Sequence, residues 1–282
     1  MYEPESVQRL KRDSRIAAAT LSDEEARYLV DAYYLMQEDR KRAHNQVRAL
    51  DSSAEPNAVI AWLAEQSELL ENEVKRMLDI YTDNQPIGMW LKSIYGIGPV
   101  IAAGLMAHID ITKVDSAGKI WTFAGLDPTR KWEKGQKRPW NATLKTLCWK
   151  AGQSFMKFSN QRDCTYGHYY RERKEYEVKR NERGENAERC KLILAEKKFG
   201  KDTEAFKHYS AGKLPPAHVD AMARRAAVKL FLSHLFLVWF WLKHDKLPPA
   251  PYAIAILGHK DFRPPPNAED VPGLAKALSH WK

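Results

Sequence analysis

Residues 217–242 follow directly on Pro215-Pro216 and contain no helix breaker before Leu242. The stretch reads as one long helix, basic in its early turns at Arg224, Arg225 and Lys229. From Leu230 to Leu242 (LFLSHLFLVWFWL) it is apolar around almost its whole circumference. Such a helix has no face to give to water, so it is the central helix of a core or part of an obligate interface. The apolar run is thirteen residues long, short of the roughly 20 that span a bilayer, so no membrane partner is expected. His234, set among these turns, is expected to be a core histidine with satisfied ring nitrogens. The rest of the chain has to supply the layers that cover this helix.

Those layers also read as helical. Ser22–Leu50 opens with a serine cap and first-turn acids (Asp23, Glu24, Glu25), after which Leu29, Tyr33, Met36, Arg40 and Val47 recur near the helical period. Asp51–Pro56 breaks it. A second helix runs from about Asn57 to Tyr81, with Ile60, Leu63, Leu70, Val74, Met77 and Leu78 on one face. The two form an antiparallel pair or half of a coiled-coil dimer, so a homo-oligomer built through helices is expected. Further on, Asn141 caps a helix with Leu144, Leu147, Cys148, Ala151, Phe155 and Phe158 on its apolar face. Residues 169–207 are dense in both charges, with breaks expected at Gly184 and Gly200. From Pro248 the sequence is proline-rich and reads as an extended tail over the surface. The fold class is therefore mainly all-α: a coiled-coil-like helical pair over 1–82, a helical domain over 83–242, and a proline-rich tail over 243–282.

Within that domain, SIYGIGPVIAAGLMAHI predicts a helix ending near Ser93, a tight turn at Gly96-Ile97-Gly98, and a new helix with Pro99 in its first position. This helix-hairpin-helix pattern offers backbone N–H groups at a helix N-terminus, where a phosphate is held without its bases being read. A basic, strand-like or irregular arm follows over Asp127–Trp140 (DPTRKWEKGQKRPW). The whole chain has 282 residues and a net charge of +9. Residues 129–180 hold fourteen basic and five acidic residues, so this stretch alone equals the net charge of the chain. Such a window attracts phosphate-rich partners through counterion release, and interleaved tryptophans such as Trp132 and Trp140 can stack on unpaired bases.

Other chemistry is poorly represented. Cys148, Cys164 and Cys190 lack CxxC spacing and are odd in number, which argues for a reducing compartment. The opening MYEPESVQRLKRD is charged and has no apolar h-region, so no secretory leader is expected and the location is read as cytoplasmic. The nine histidines show no ligand spacing, and there is no Walker A or GxGxxG motif, so no metal and no cofactor is expected.

Four segments in series carry a resemblance: SIYGIGPVIAAGLMAHIDI, FAGLDPTRKWEKGQKRPWN, LKTLCWKAGQSFMKF and AMARRAAVKLFLSHLF. Their order and spacing resemble the C-terminal domain of the Piv-type DNA invertases and the bridge-RNA-guided insertion-sequence transposases, over about Ala61 to Leu242. The resemblance implies a mobile-element or phage origin and a nucleic-acid partner, DNA first and RNA as the alternative. It also implies what this chain lacks. Those recombinases carry an N-terminal RuvC-like domain with metal-binding acids, and nothing in the first eighty residues reads as its sheet. Their serine nucleophile follows the AGL-x-P block, where this chain has Lys134-Gly135.

The reading is therefore a nucleic-acid-binding protein without catalytic residues of its own. Gly96, Ile97 and Gly98 would hold one phosphate stretch through backbone donors. Lys131, Lys134, Lys137, Arg138 and Lys145 would neutralise neighbouring phosphates, with Trp132 and Trp140 stacking on an unpaired base. The alternatives are a recombinase completed by a partner chain that supplies metal carboxylates, and a dimeric scaffold protein.

Overall fold

The computed structural model describes residues 12–51, 58–249 and 262–281. The readings that fall on the opening segment, on the break after Asp51 and on most of the proline-rich stretch after Pro248 lie outside the described residues. Every regular element among the described residues is a helix, so the all-α expectation holds. The chain divides into two compact units, one ending at Ser93 and resuming over Ile97–Lys113, the other made of Ile94–Gly96 and everything from Val114 onward.

The first unit contains α1 (Arg12–Ala17), α2 (Asp23–Asp51), α3 (Ala58–Asp83), α4 (Pro86–Ser93) and α5 (Pro99–His108). Ser22 starts α2 through a reciprocal cap. Its backbone N–H donates to the Glu25 carboxylate at 2.8 Å while its Oγ accepts from the Glu25 N–H at 3.3 Å. Glu25 is thus accounted for by helix initiation, while Asp23 accepts from the Tyr81 hydroxyl of α3 at 2.9 Å.

Helices α2 and α3 pack as a long pair; of the expected apolar face Met77 and Leu78 are buried, whereas Leu63 and Leu70 turn outward. The covered stripe of α3 runs through Ala64, Glu71 and Leu78, one residue round from Leu63 and Leu70, which are 51% and 36% exposed. One residue is 100° of helix, so the shift turns both leucines outward. Glu71 is tolerated in the seam because Arg40 pairs with its carboxylate and the Gln37 amide donates to it at 3.2 Å. The α5 helix fills the base of this pair. Its small residues Ala102, Ala103 and Ala107 are buried and let α2, α3 and α4 approach closely.

The second unit is organised around α11 (Pro216–His244), against which α6 (Ala117–Phe123), α7 (Ala142–Lys157) and α8 (Thr165–Glu182) pack. Phe155, Tyr166 and Phe231 form the centre, with ring centroids 5.0–5.4 Å apart. By length and composition α11 is apolar enough to cross a membrane, which the shorter uninterrupted run concealed, but half of its apolar window is buried by these neighbours. His234 is the satisfied core histidine expected. Its Nε2 lies 2.9 Å from the Arg263 carbonyl, which can only accept, so Nε2 carries the proton and Nδ1 accepts from the Tyr166 hydroxyl at 2.9 Å. A smaller core of Cys190, Tyr209, Leu214 and Val219 ties α9 (Ala187–Glu196) and α10 (Glu204–Ser210) to the start of α11. The last described segment carries α12 (Leu274–Leu278) and is fastened to α11 by the Trp241 indole, which donates to the Pro272 carbonyl at 3.0 Å.

Candidate nucleic-acid interface

The basic arm between α6 and α7 is irregular throughout, and local bonds give it shape. The Asp127 carboxylate accepts from the Thr129 N–H at 2.9 Å and its hydroxyl at 2.7 Å, which holds the Asp127 carboxyl below its ordinary value. The Trp132 indole donates to the Gln136 carbonyl at 2.7 Å, and the Arg138 guanidinium lies 5.2 Å from the Trp132 ring. The arm closes where the Asn141 N–H donates to the Phe123 carbonyl at 2.9 Å and the Asn141 side chain caps α7 at Leu144. Trp140 lies against Gly125, whose φ of +65° is left-handed. A Cβ there would come within 2.9 Å of both Trp140 Cγ and Lys145 Cδ.

Two adjoining concavities open on this surface. One, of about 390 Å³, lies between the arm, α7 and the early turns of α11, bounded by Arg130, Trp140, Lys145, Trp149, Arg224 and Arg225. The other, of about 440 Å³ and more open, is lined by Trp132, Arg138, Trp140, Lys145 and Trp149. Trp140, Lys145 and Trp149 form the ridge they share. Lys145 Nζ sits 4.1 Å from the Trp140 centroid, a cation–π contact that covers that ring face. Trp149 is the most open of the three tryptophans, 59% exposed.

The cations here crowd one another. Burial first, then Arg138 and Arg225, lowers the affinity of Lys145 for its proton. Burial, Arg189 and Arg224 do the same to Arg225. Among the lining residues, Asp127 is the one acid, while Arg224 is held by Asp220 at 2.8 Å. Clustered positive charge of this kind is relieved by an anionic ligand.

The structure brings Trp132, Arg138, Trp140 and Lys145 of the expected residues together. Lys131, Lys134 and Lys137 are exposed on the arm outside both concavities, and Lys131 faces Glu196 at 3.5 Å. Gly96 is elsewhere in the second unit. Its carbonyl accepts from the Ser154 hydroxyl at 2.5 Å, nine residues along α7 from Lys145. That is about 14 Å of rise and half a turn of rotation, so Gly96 and Lys145 lie on opposite faces of α7. Ile97 is 4% exposed, and Gly98 caps α5 in the first unit.

Arg130, Trp149, Arg224 and Arg225 were not singled out by the sequence reading as site residues. Trp149 follows Lys145 by one helical turn on the face of α7 opposite its apolar stripe, which is the signal that could have found it.

The two glycines of the turn differ in what holds them. Gly96 has φ +93° and a Cβ there would meet Ser154 Oγ at 3.0 Å, whereas a Cβ at Gly98 meets nothing within 4 Å. Gly96→Ala is expected to cost about 1–2 kcal/mol in a urea titration and Gly98→Ala less than about 1 kcal/mol. Equal costs would show that the turn is not held as described.

Residues 89–165 match the family model described as Transposase IS116/IS110/IS902 family. The match supports a transposase-derived domain. It spans 77 of the 282 residues, from within α4 through the Gly-x-Gly turn, α5, α6, the basic arm and α7. No curated protein and no solved structure matches the chain. At Lys134-Gly135, where the resemblance places a serine nucleophile, the arm is exposed and Gly135 has φ +92°. The Ser154 hydroxyl, on α7, donates to the Gly96 carbonyl. Among the described residues no group of three or more His, Cys, Asp or Glu is placed to hold a metal ion.

Proposed function

We propose that the chain binds nucleic acid, DNA in the first instance, through the surface around Trp149, and that it carries out no strand chemistry alone. One observation carries this reading: three tryptophans and the cations Arg130, Arg138, Lys145, Arg224 and Arg225 surround two joined concavities with a single acid among their lining residues. Stacking surfaces interleaved with cations are what a sequence-tolerant nucleic-acid site requires. The transposase match supports DNA over RNA. The replacement of the nucleophile position by Lys134-Gly135 supports a binding role. In the first unit, Gly98, open to a close backbone approach, would offer a phosphate contact of its own at the start of α5. A second reading, a recombinase completed by a partner chain, draws on the same family match. Self-association would use the outward leucines Leu35, Leu63 and Leu70 of the α2–α3 pair.

The test is a fluorescence-anisotropy titration of the full chain against duplex DNA, single-stranded DNA and structured RNA at two salt concentrations. Backbone-dominated binding should weaken steeply with salt, by about 0.9 logarithmic units per phosphate neutralised per tenfold of salt for duplex. Absence of binding to all three at low salt would refute the reading.

A further inference from the structure

We propose that the cavity between the arm, α7 and α11 takes one unpaired nucleotide, its base against Trp149 and its phosphate on Arg224 and Arg225. This rests on the nucleic-acid reading above and names the form of nucleic acid the site selects.

The shape comes first. The volume of about 390 Å³ lies in the range of small-molecule sites, about 300–1,000 Å³. Its floor forms where α7 and α11 approach closely at Gly152, on which a Cβ would come 3.0 Å from Val228. Cys148 and Val228 make that floor apolar. The Cys148 thiol is pushed up to about 12 by burial and stays protonated. A duplex offers phosphates and sugars with its bases stacked inside, so it would leave this floor and the Trp149 ring facing water. A ligand that fills the cavity must bring out a base.

The chemistry of the walls points the same way. Trp140 has one ring face under Lys145 and lies against Gly125, so it serves as a fixed wall. Trp149 has no such cover and is free to stack. Arg224 and Arg225 come from the early turns of α11 and Arg130 from the arm, so the cations line the rim at which a phosphate would remain. The Asp127 carboxylate, fixed by Thr129, is unsuited to a bare phosphate but accepts from the amino group of a base. An apolar floor, one open indole, a cationic rim and one oriented acceptor together suit a nucleotide better than any of its parts.

The experiment compares three DNAs with the full chain: a paired duplex, the same duplex with one central bulged 2-aminopurine, and a single strand with as many phosphates as the paired duplex. The bulged and single-stranded forms should bind roughly tenfold or more tighter than the paired duplex, the increment expected of one base–aromatic stack. The 2-aminopurine emission should change on binding. Trp149→Ala should abolish that preference, bringing the bulged and single-stranded forms down to the affinity of the paired duplex, and Trp149→Phe should retain it. Equal affinity for paired and bulged DNA, or a uniform loss across all three with Trp149→Ala, would overturn the inference while leaving nucleic-acid binding standing. Loss of binding to every DNA by the parent chain would refute both.

Discussion

Replacing Arg138, Lys145 and Arg225 together by Gln should lower affinity for duplex DNA on the order of a few hundredfold near 0.1 M salt, and reduce the salt slope by about 2–3. The estimate follows from removing three cations at about 0.9 logarithmic units each. The same exchange at Lys131, Lys134 and Lys137 should cost less than about tenfold. Those lysines stand in water outside the concavities, and Lys131 already faces Glu196. Stability supplies an independent readout. Lys145 and Arg225 are disfavoured as cations by burial and by neighbouring arginines, so neutralising them should leave the melting temperature level or raise it. A larger effect from the arm lysines would move the interface onto the arm.

Acidification should unfold the second unit through His234. Burial holds its folded pKa at about 4, against an ordinary 6.5, while the bond to the Arg263 carbonyl pulls weakly the other way. Above 6.5 both folded and unfolded histidines are neutral and the residue confers no pH dependence. Between 6.5 and 4 the unfolded chain takes up a proton that the folded chain refuses, so stability falls as pH falls, by about 3 kcal/mol over the interval. His218, also held at about 4, adds to the loss in the same direction, lessened by its greater exposure. Urea midpoints measured from pH 7.5 to 4.5 at constant ionic strength report the slope. His234→Gln can still accept from Tyr166 and donate to Arg263, and should flatten it by one proton. Identical profiles for the two proteins would refute the assignment.

The sequence made the helices legible where one physical cause dominated. The apolar circumference of α11, the Asn141 cap of α7 and the glycine break at Gly184 (φ +77°) each stand where the pattern places them. On α3 the periodicity placed Met77 and Leu78 correctly but put Leu63 and Leu70 in the seam where Ala64 and Glu71 lie, because periodicity weighs leucine above glutamate. The Arg40–Glu71 pair joins two helices and is announced by neither alone. The site was legible in kind but less so in place. Charge counting located the arm and its tryptophans. It could not show that Arg224 and Arg225, 79 and 80 residues beyond Lys145 on α11, would be brought to it, or that Gly96 would face away from them.

The allocation of Ile94–Gly96 to one unit and of the flanking α4 and α5 to the other has a consequence for synthesis. No single scission of the polypeptide leaves both units entire, since cutting at 93 strips α5 from the first and cutting at 113 strips the turn from the second. On a ribosome the first unit lacks α5 until residue 108 has emerged, and Gly96 waits for Ser154 before its carbonyl finds a donor. The two units are therefore bound to a shared order of birth, and a gene break within α5 would cripple both.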